Sequence, residues 1–215
     1  MFYLDSRQIY RASELDSFGW LQHGFGTRHA GVPALFPQLA TVKQVHSAAC
    51  VAAGGRPGVL GEADALLENR PGAVVAVKTA DCIPILLADE RNRAVAAAHA
   101  GWRGTAAHIV ERAVEAMGTR FGTAPADLHA AIGPAIGKCC YEVGPEVAAQ
   151  FGLQGRVHLD LAAENLRQLA NTGIPIARLY VSGLCTMCGA QFHSFRRDRE
   201  SAGRMYSYIG ITAVH

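Results

Sequence analysis

The sequence lacks long apolar runs, long runs of one charge and an apolar leader segment. Its longest uninterrupted apolar stretches, such as residues 83–88, are far shorter than the ~20 residues that span a bilayer. Residues 1–10 carry Asp5 and Arg7 and have no apolar core of the kind found in a signal peptide. We therefore expect no membrane partner, and the cytoplasm is the predicted location.

Charge of one sign is also scarce. The chain has twenty basic and eighteen acidic side chains, which give a formal net charge of +2. The densest basic stretch, Arg196 to Arg199, is interrupted by Asp198. No segment resembles a nucleic-acid-binding arm, so no nucleic-acid partner is expected, whereas a small phosphate remains a suitable ligand.

The six cysteines do not indicate a disulfide framework, because a chain without a secretion signal is expected in a reducing compartment. Cys185 and Cys188 form a C-x-x-C, which supplies only two metal ligands. Cys139 and Cys140 are adjacent and look badly placed to act as the second pair. We therefore interpret all four as structural thiols.

Apolar periodicity predicts an α/β (α+β) fold in one domain, residues 1–215, with a mixed β-sheet and flanking helices. Helices are predicted after a Thr105 cap, ending near Gly118, and over residues 161–170. Strands are predicted over residues 73–77, 83–88, 94–98, 128–132 and 179–181.

Three residues stand where chemistry is expected, at the ends of predicted strands: His46, Cys82 and His99. Two imidazoles and one thiolate with a fourth position open are typical of catalytic zinc, whereas structural zinc is usually closed by four protein ligands. Their spacing matches no short metal-binding motif. From the pattern alone, a single histidine is more often a core or surface residue than a metal ligand.

Several motifs resemble the laccase-domain family, also called the purine nucleoside phosphorylase or peptidoglycan-editing-factor family. They are QVH (44–46), VKTADC (77–82), HAGWRG (99–104), IGPAIG (132–137) and FRR (195–197). The resemblance extends from about Gly24 to the C-terminus. It implies that His46, Cys82 and His99 are the metal ligands, and it implies an α/β fold of mixed sheets layered between helices.

The resemblance further implies zinc-dependent chemistry on purine nucleosides. The expected reactions are phosphorolysis of adenosine, inosine and S-methyl-5'-thioadenosine, with adenosine deamination in addition. Purine nucleoside and phosphate are then the small-molecule partners. The sequence leaves both a monomer and a homodimer open.

Four other side chains are candidate site residues. Asp81 adjoins a ligand and is expected to orient water or act as general acid/base, its alternative being a cap on backbone amides. Arg103, at the start of the helix predicted after Thr105, is expected to bind phosphate and to assist catalysis. Asp64 and Arg196 are expected to contact substrate, with loop solvation and packing as their alternatives.

Three alternative functions involve the same residues or the same family resemblance. Cys82 as thiolate with His99 as base fits a cysteine hydrolase. The name peptidoglycan-editing factor indicates a cell-wall precursor as the ligand. The protein would then either bind this precursor without turnover or act on it as an editing factor. Copper remains a suitable single ion, but a multicopper cluster assembled from H-x-H pairs does not fit nine histidines with no H-x-H among them.

Overall fold

A computed structural model describes residues 1–213, so the last two residues of the predicted domain 1–215 lie outside the described part. It contains fifteen strands: β1 (Phe2–Leu4), β2 (Ile9–Ala12), β3 (Leu21–Gly26), β4 (Ala40–Lys43), β5 (Cys50–Ala52), β6 (Gly58–Glu62), β7 (Ala65–Glu68), β8 (Val74–Thr79), β9 (Ile83–Asp89), β10 (Ala94–Ala100), β11 (Leu128–Ile132), β12 (Glu142–Val143), β13 (Val157–His158), β14 (Leu179–Val181) and β15 (Met205–Ile211).

Six α-helices accompany them: α1 (Val32–Leu35), α2 (Trp102–Ala106), α3 (Ile109–Phe121), α4 (Pro145–Ala148), α5 (Leu161–Asn171) and α6 (Phe195–Asp198). Short 3-10 turns cover Leu15–Ser17, Pro125–Asp127, Ala149–Phe151, Ile176–Arg178 and Arg199–Ser201. None of the helices within residues 1–213 has both the length and the apolar content that a membrane crossing requires.

The strands form two large mixed sheets. The first has the order β1-β2-β3-β15-β8-β4-β6, and the second has the order β14-β11-β9-β10-β7-β5. Most neighbours are antiparallel, but β4 is parallel to β6 and β8, β5 to β7, and β11 to β14. The predicted α+β class with mixed sheets is confirmed.

The second sheet is buried on both faces. Leu86 and Ala88 of β9 pack toward the first sheet, in one apolar cluster with Val75 and Val77 of β8. Alternate residues such as Ile85 join the other cluster, together with the inner side of α3 and α5. Coverage on both faces explains why β9 and β10 are buried along their whole length and, apart from Asp89 and His99, apolar rather than alternating.

The helix predicted after Thr105 differs from the observed one. Gly101 precedes α2, and Thr105 lies buried inside that helix, where its Oγ1 accepts a hydrogen bond from Asn165. The chain then turns at His108, whose φ is 61°, and α3 starts anew. Gly118, the predicted end, lies inside α3. The helix ends at Phe121 instead, because Gly122 follows it in the left-handed conformation with a φ of 70°.

The strand register brings the predicted ligands to one end of the two sheets. Because β4 and β8 are parallel, their last residues, Lys43 and Thr79, lie at the same end of the first sheet. In the second sheet the last residue of β10, Ala100, pairs with the first residue of β9, Ile83. His99 and Cys82 are therefore neighbours, although they belong to different segments of the chain.

Candidate metal centre

His46, Cys82 and His99 converge. One ligand atom from each lies within 4.8 Å of the other two. The two imidazole rings meet edge to face, with centroids 4.9 Å apart. His99 is buried in β10, Cys82 is half-buried just before β9, and His46 is exposed in the turn after β4. The donor set, two imidazoles and one thiol, fits zinc.

The backbone adopts unusual conformations at this centre. His46 has a φ of 60° and Asp81 a φ of 87°. Residues other than glycine seldom occupy this left-handed region, and such residues tend to cluster at functional sites. Here they turn the chain sharply beyond two strands, which brings the side chains of His46 and Cys82 together.

Asp64 orients the centre from behind. Its Oδ1 lies 2.9 Å from Nδ1 of His99, which leaves Nε2 as the ring nitrogen available to a metal. The same carboxylate accepts hydrogen bonds from the backbone N–H of His46 at 3.0 Å and of Ser47 at 2.6 Å. A carboxylate behind a ligating histidine fixes its ring and its tautomer. Asp64 thus holds two ligand segments at once.

This position corrects the expectation for Asp64. The side chain is fully buried and does not line the adjoining cavity, so it is not placed to touch substrate. Burial alone would raise the pKa of the carboxyl, but the hydrogen bonds from His99 and Ser47 lower it to about 2. It is therefore an anion at neutral pH.

The thiol and the buried imidazole polarise each other. Burial would raise the pKa of Cys82, but hydrogen bonds from His46 and then His99 lower it to about 6. Burial would lower the pKa of His99, but its bonds to Asp64 and Cys82 raise it to about 9. The lowered pKa of Cys82 favours the thiolate, which is the form of cysteine that binds metals.

A cavity of about 550 Å³ opens over the three ligands. This volume is within the usual range for a small-molecule site. The lining residues are the three ligands and Lys43, Gln44, Lys78, Thr79, Ala80, Asp81, Ile136, Tyr141, Phe195, Arg196 and Arg204. Arg196 lines this cavity, and its contact with substrate stays a prediction.

Asp81 lines the cavity but is already heavily bonded. Its Oδ1 accepts a 2.6 Å hydrogen bond from Thr186, and its Oδ2 accepts from Ser194 at 3.1 Å and from the backbone N–H of Arg196 at 2.6 Å. The carboxylate ties two distant loops to the segment that carries Cys82. Capping of a backbone amide, the alternative considered from sequence, is thus part of what it does.

Arg103 is placed differently from the expectation. It is exposed on α2, and its guanidinium lies 4.3 Å from the centre of the Trp102 ring. It does not line the cavity, because α2 begins at Trp102 rather than after Thr105 and so turns Arg103 outward. The structure therefore corrects both its predicted catalytic position and its predicted substrate contact.

Sequence reasoning missed the other basic side chains of the cavity, Lys43, Lys78 and Arg204. Lys43 directly precedes the motif QVH, and Lys78 lies inside the motif VKTADC, but neither lysine was assigned a role. Arg204 stands apart from every motif and carried no signal. Only the pairing of β8 with β4 and β15 brings the three together.

The geometric interpretation of the other cysteines was wrong. The sulfur atoms of Cys139, Cys140, Cys185 and Cys188 lie within 4.8 Å of one another. An adjacent pair and a C-x-x-C thus meet in space, because the loops that carry them follow the parallel strands β11 and β14. We call this group the cysteine cluster.

Comparison with known proteins identifies the family and the fold. A sequence profile described as multi-copper polyphenol oxidoreductase laccase matches residues 25–212. The purine nucleoside phosphorylase of Deinococcus radiodurans is 45% identical over 183 residues, which cover 80% of this chain and 70% of that protein. A protein named adenosine deaminase RL5, from an unknown prokaryotic organism, is 39% identical over 68% of this chain and 61% of its own length.

A solved structure has the same fold. The crystal structure of YlmD from Geobacillus stearothermophilus superposes with a TM-score of 0.91 at 30% identity, covering 98% of both chains. Against the full sequence named purine nucleoside phosphorylase YlmD from that organism, the aligned part spans 60% of the relative's length. Fold, motifs and relatives agree, and this chain belongs to the laccase-domain family, among whose members are proteins named purine nucleoside phosphorylase and adenosine deaminase.

Proposed function

We propose that this chain is a zinc-dependent enzyme of purine nucleosides. It phosphorolyses adenosine, inosine and S-methyl-5'-thioadenosine, and it deaminates adenosine. One observation carries the proposal: the three ligand residues line the same cavity as four basic side chains. A metal-binding group and an anion-binding group thus meet in a space of small-molecule size.

Zinc would be held by His46, Cys82 and His99, with Asp64 fixing the ring of His99. When bound it supplies Lewis-acid chemistry and makes an adjacent water more acidic. The chain's own contribution is to hold the donors ready. Two of the three ligand segments are tied to one buried carboxylate, so little rearrangement is needed when the ion binds.

Phosphate would bind to the basic side chains that line the cavity, which are Lys43, Lys78, Arg196 and Arg204. Arg196 combines a planar guanidinium with a fixed position, because its backbone N–H donates to Asp81 and its Nη1 donates to the Glu142 carbonyl oxygen. Lys43 is less available, since its Nζ lies 2.7 Å from Glu62. A guanidinium forms two parallel bonds to a phosphate, which makes Arg196 the stronger candidate.

The nucleobase would rest on aromatic side chains. Tyr141 and Phe195 line the cavity, and Phe195 is 42% exposed. An exposed ring at a cavity mouth offers a stacking surface for a planar base. Arg196 lies 5.4 Å from the ring centre of Tyr141, so the base and phosphate positions adjoin.

Asp81 keeps its proposed part in deamination. It is the only acidic residue lining the cavity within residues 1–213. Its partners Thr186, Ser194 and the Arg196 amide all donate, so the carboxylate is held as an acceptor. That is the form of a general base, and it would take a proton from water in the cavity.

The test compares Arg196→Ala with Arg103→Ala, its matched control outside the cavity. Loss of one charge-assisted contact costs about 1.5–3 kcal/mol. We expect Arg196→Ala to raise the phosphate KM of inosine phosphorolysis about tenfold or more, and Arg103→Ala to leave it within about twofold. Adenosine deamination without phosphate should suffer less in Arg196→Ala. Equal losses in both reactions, or a larger effect of Arg103→Ala, would overturn the assignment of the anion site.

Cysteine hydrolysis is the second candidate, favoured by the lowered pKa of Cys82 and the raised pKa of His99. A nucleophilic thiolate would work without metal, whereas a ligand thiolate would not. If zinc removal abolishes turnover and zinc addition restores it, the hydrolase function is excluded. Turnover by metal-free protein with a substrate adduct on Cys82 would establish it instead.

We also propose a reducing, cytoplasmic location. None of the six cysteines forms a disulfide within residues 1–213, although three sulfur pairs approach within 4 Å. Protein thiols this close oxidise readily in secretory compartments and persist in a reducing one. The proposed partners are a purine nucleoside and phosphate, and the proposal holds for either a monomer or a homodimer.

A further inference from the structure

We propose that the cysteine cluster is a second metal site, a structural zinc site with four thiolate ligands. It lies outside the catalytic centre, and none of its four residues lines the cavity. The six cysteines are thereby accounted for as one ligand in the centre, four in the cluster and Cys50, which packs against the helix-side core.

The sulfur distances match tetrahedral coordination. A zinc ion with four sulfur ligands at about 2.3 Å places the sulfurs about 3.8 Å apart. In the cluster Cys139 lies 3.6 Å from Cys140 and 3.8 Å from Cys188, and Cys140 lies 3.4 Å from Cys188. The sulfur of Cys185 lies within 4.8 Å of all three. One ion at their centre can reach all four with small adjustments.

A disulfide explains the cluster less well. A disulfide brings two sulfurs to about 2.05 Å and leaves the other two without a role. Here four sulfurs converge from two segments. In addition, the backbone N–H of Gly137 donates to Sγ of Cys185 at 3.2 Å. Amide donors directed at a sulfur stabilise thiolate ligands and are common around metal sites.

The two loops are held together before any metal binds. Ala135 and Cys185 form a parallel β-bridge, in which Ala135 N–H donates to Leu184 and Thr186 N–H donates to Ala135. A turn in which Gly137 accepts from Cys140 and Tyr141 then presents the adjacent cysteines. The ligand loops are thus preorganised, which reduces the ordering that metal binding must bring about.

Position gives this site a structural task. Tyr141, which follows Cys140 directly, lines the catalytic cavity, and Thr186, inside the C-x-x-C, donates to Asp81. A zinc ion joining the two loops fixes both residues. Four sulfur ligands leave no open coordination position, as in structural zinc sites and unlike catalytic ones. The ion would therefore stabilise one wall of the cavity without touching substrate.

The test counts zinc in purified full-length protein expressed with zinc and kept under reducing conditions. We expect two zinc ions per chain in the wild type, one in Cys82→Ala, one in Cys188→Ser and none in the double variant. Cys50→Ser is the matched control and should keep both. A wild type with one zinc that Cys82→Ala abolishes and Cys188→Ser retains would overturn the proposal.

Cobalt identifies the ligands even if Cys188→Ser folds poorly. Reconstituted with cobalt, Cys82→Ala should show the strong sulfur-to-metal absorption of several thiolates, because its remaining ion is held by four sulfurs. Weak absorption typical of oxygen or nitrogen ligands in that variant would refute the four-thiolate site. A mass loss of two hydrogens in the freshly purified wild type, showing a disulfide within the cluster, would refute it too.

Discussion

Two groups of side chains within residues 1–213 could hold a metal ion, and we propose different tasks for them. The centre of His46, Cys82 and His99 mixes nitrogen and sulfur, lies at strand ends and lines a cavity. The cysteine cluster offers sulfur alone, lies on two loops and lines no part of that cavity. Three ligands leave a position for chemistry, whereas four complete the coordination shell. The contrast teaches that ligand number and access separate catalytic from structural sites.

Removing the thiolate of the first group tests this contrast most severely. Cys82→Ala leaves two imidazoles, too few for tight zinc binding, and it also removes the partner of His99. We expect kcat/KM for inosine phosphorolysis to fall about 10³-fold or more, equivalent to about 4 kcal/mol of transition-state stabilisation. The thermal midpoint should change little, because the cysteine cluster stays intact.

The comparison fails if Cys82→Ala keeps full activity, or if it unfolds the protein while Cys188→Ser does not. Kinetics and thermal unfolding of both variants, measured beside Cys50→Ser, decide this. Cys50 is a suitable control because it contributes to neither metal-binding group.

A smaller effect on activity and zinc affinity is expected from changing Asp64, which contacts the proposed ligand His99. Asp64→Asn keeps the shape of the side chain but weakens its bond to Nδ1 of His99 and removes the negative charge. Loss of such a supporting carboxylate typically lowers metal affinity or activity by about 10–100-fold. We expect that range for kcat/KM and for the zinc dissociation constant measured against a competing chelator.

Asp89→Asn is the matched control for Asp64→Asn. Asp89 is also fully buried, and it accepts hydrogen bonds from the backbone N–H groups of Arg91 and Asn92 in a turn far along β9 from the centre. It should lower stability without altering zinc affinity. Equal changes in zinc affinity in both variants would show that Asp64 acts only through folding.

The same contrast explains how much could be predicted from sequence. The strands over residues 83–88 and 94–98 were found because burial on both faces makes a continuous apolar run. The grouping of His46, Cys82 and His99 was predicted because their motifs resemble those of a known family, and the three side chains do converge. Local pattern was informative wherever it coincided with a tertiary role.

Other features depend on contacts between distant segments, which no local pattern contains. Asp64 looked like a loop residue, but a strand pairing buries it beneath His99. The cysteine cluster needs the parallel pairing of β11 with β14 before its two loops adjoin. Arg103 was misplaced because Thr105 resembled a helix cap, whereas buried Thr105 bonds to Asn165 inside the helix. Each error came from a long-range contact that overrode a local preference.

The finest test adds one methyl group beside each metal-binding group. A Cβ on Gly101 would lie 3.0 Å from Sγ of Cys82 and 3.2 Å from Cδ2 of His46, and one on Gly137 would lie 3.2 Å from Sγ of Cys139. Neither glycine has a positive φ, so alanine introduces crowding and no backbone strain. Overpacking of this kind costs about 1–3 kcal/mol.

Because the methyl group of Gly101→Ala crowds Cys82 and His46 of the proposed catalytic centre, we expect kcat/KM to drop by about fivefold or more with the thermal midpoint nearly unchanged. Gly137→Ala should do the reverse, lowering the midpoint by about 2–4 °C per kcal/mol while kcat/KM stays within about twofold. Crossed results, with Gly137→Ala impairing turnover and Gly101→Ala only stability, would mean that the division of tasks between the two groups is drawn wrongly.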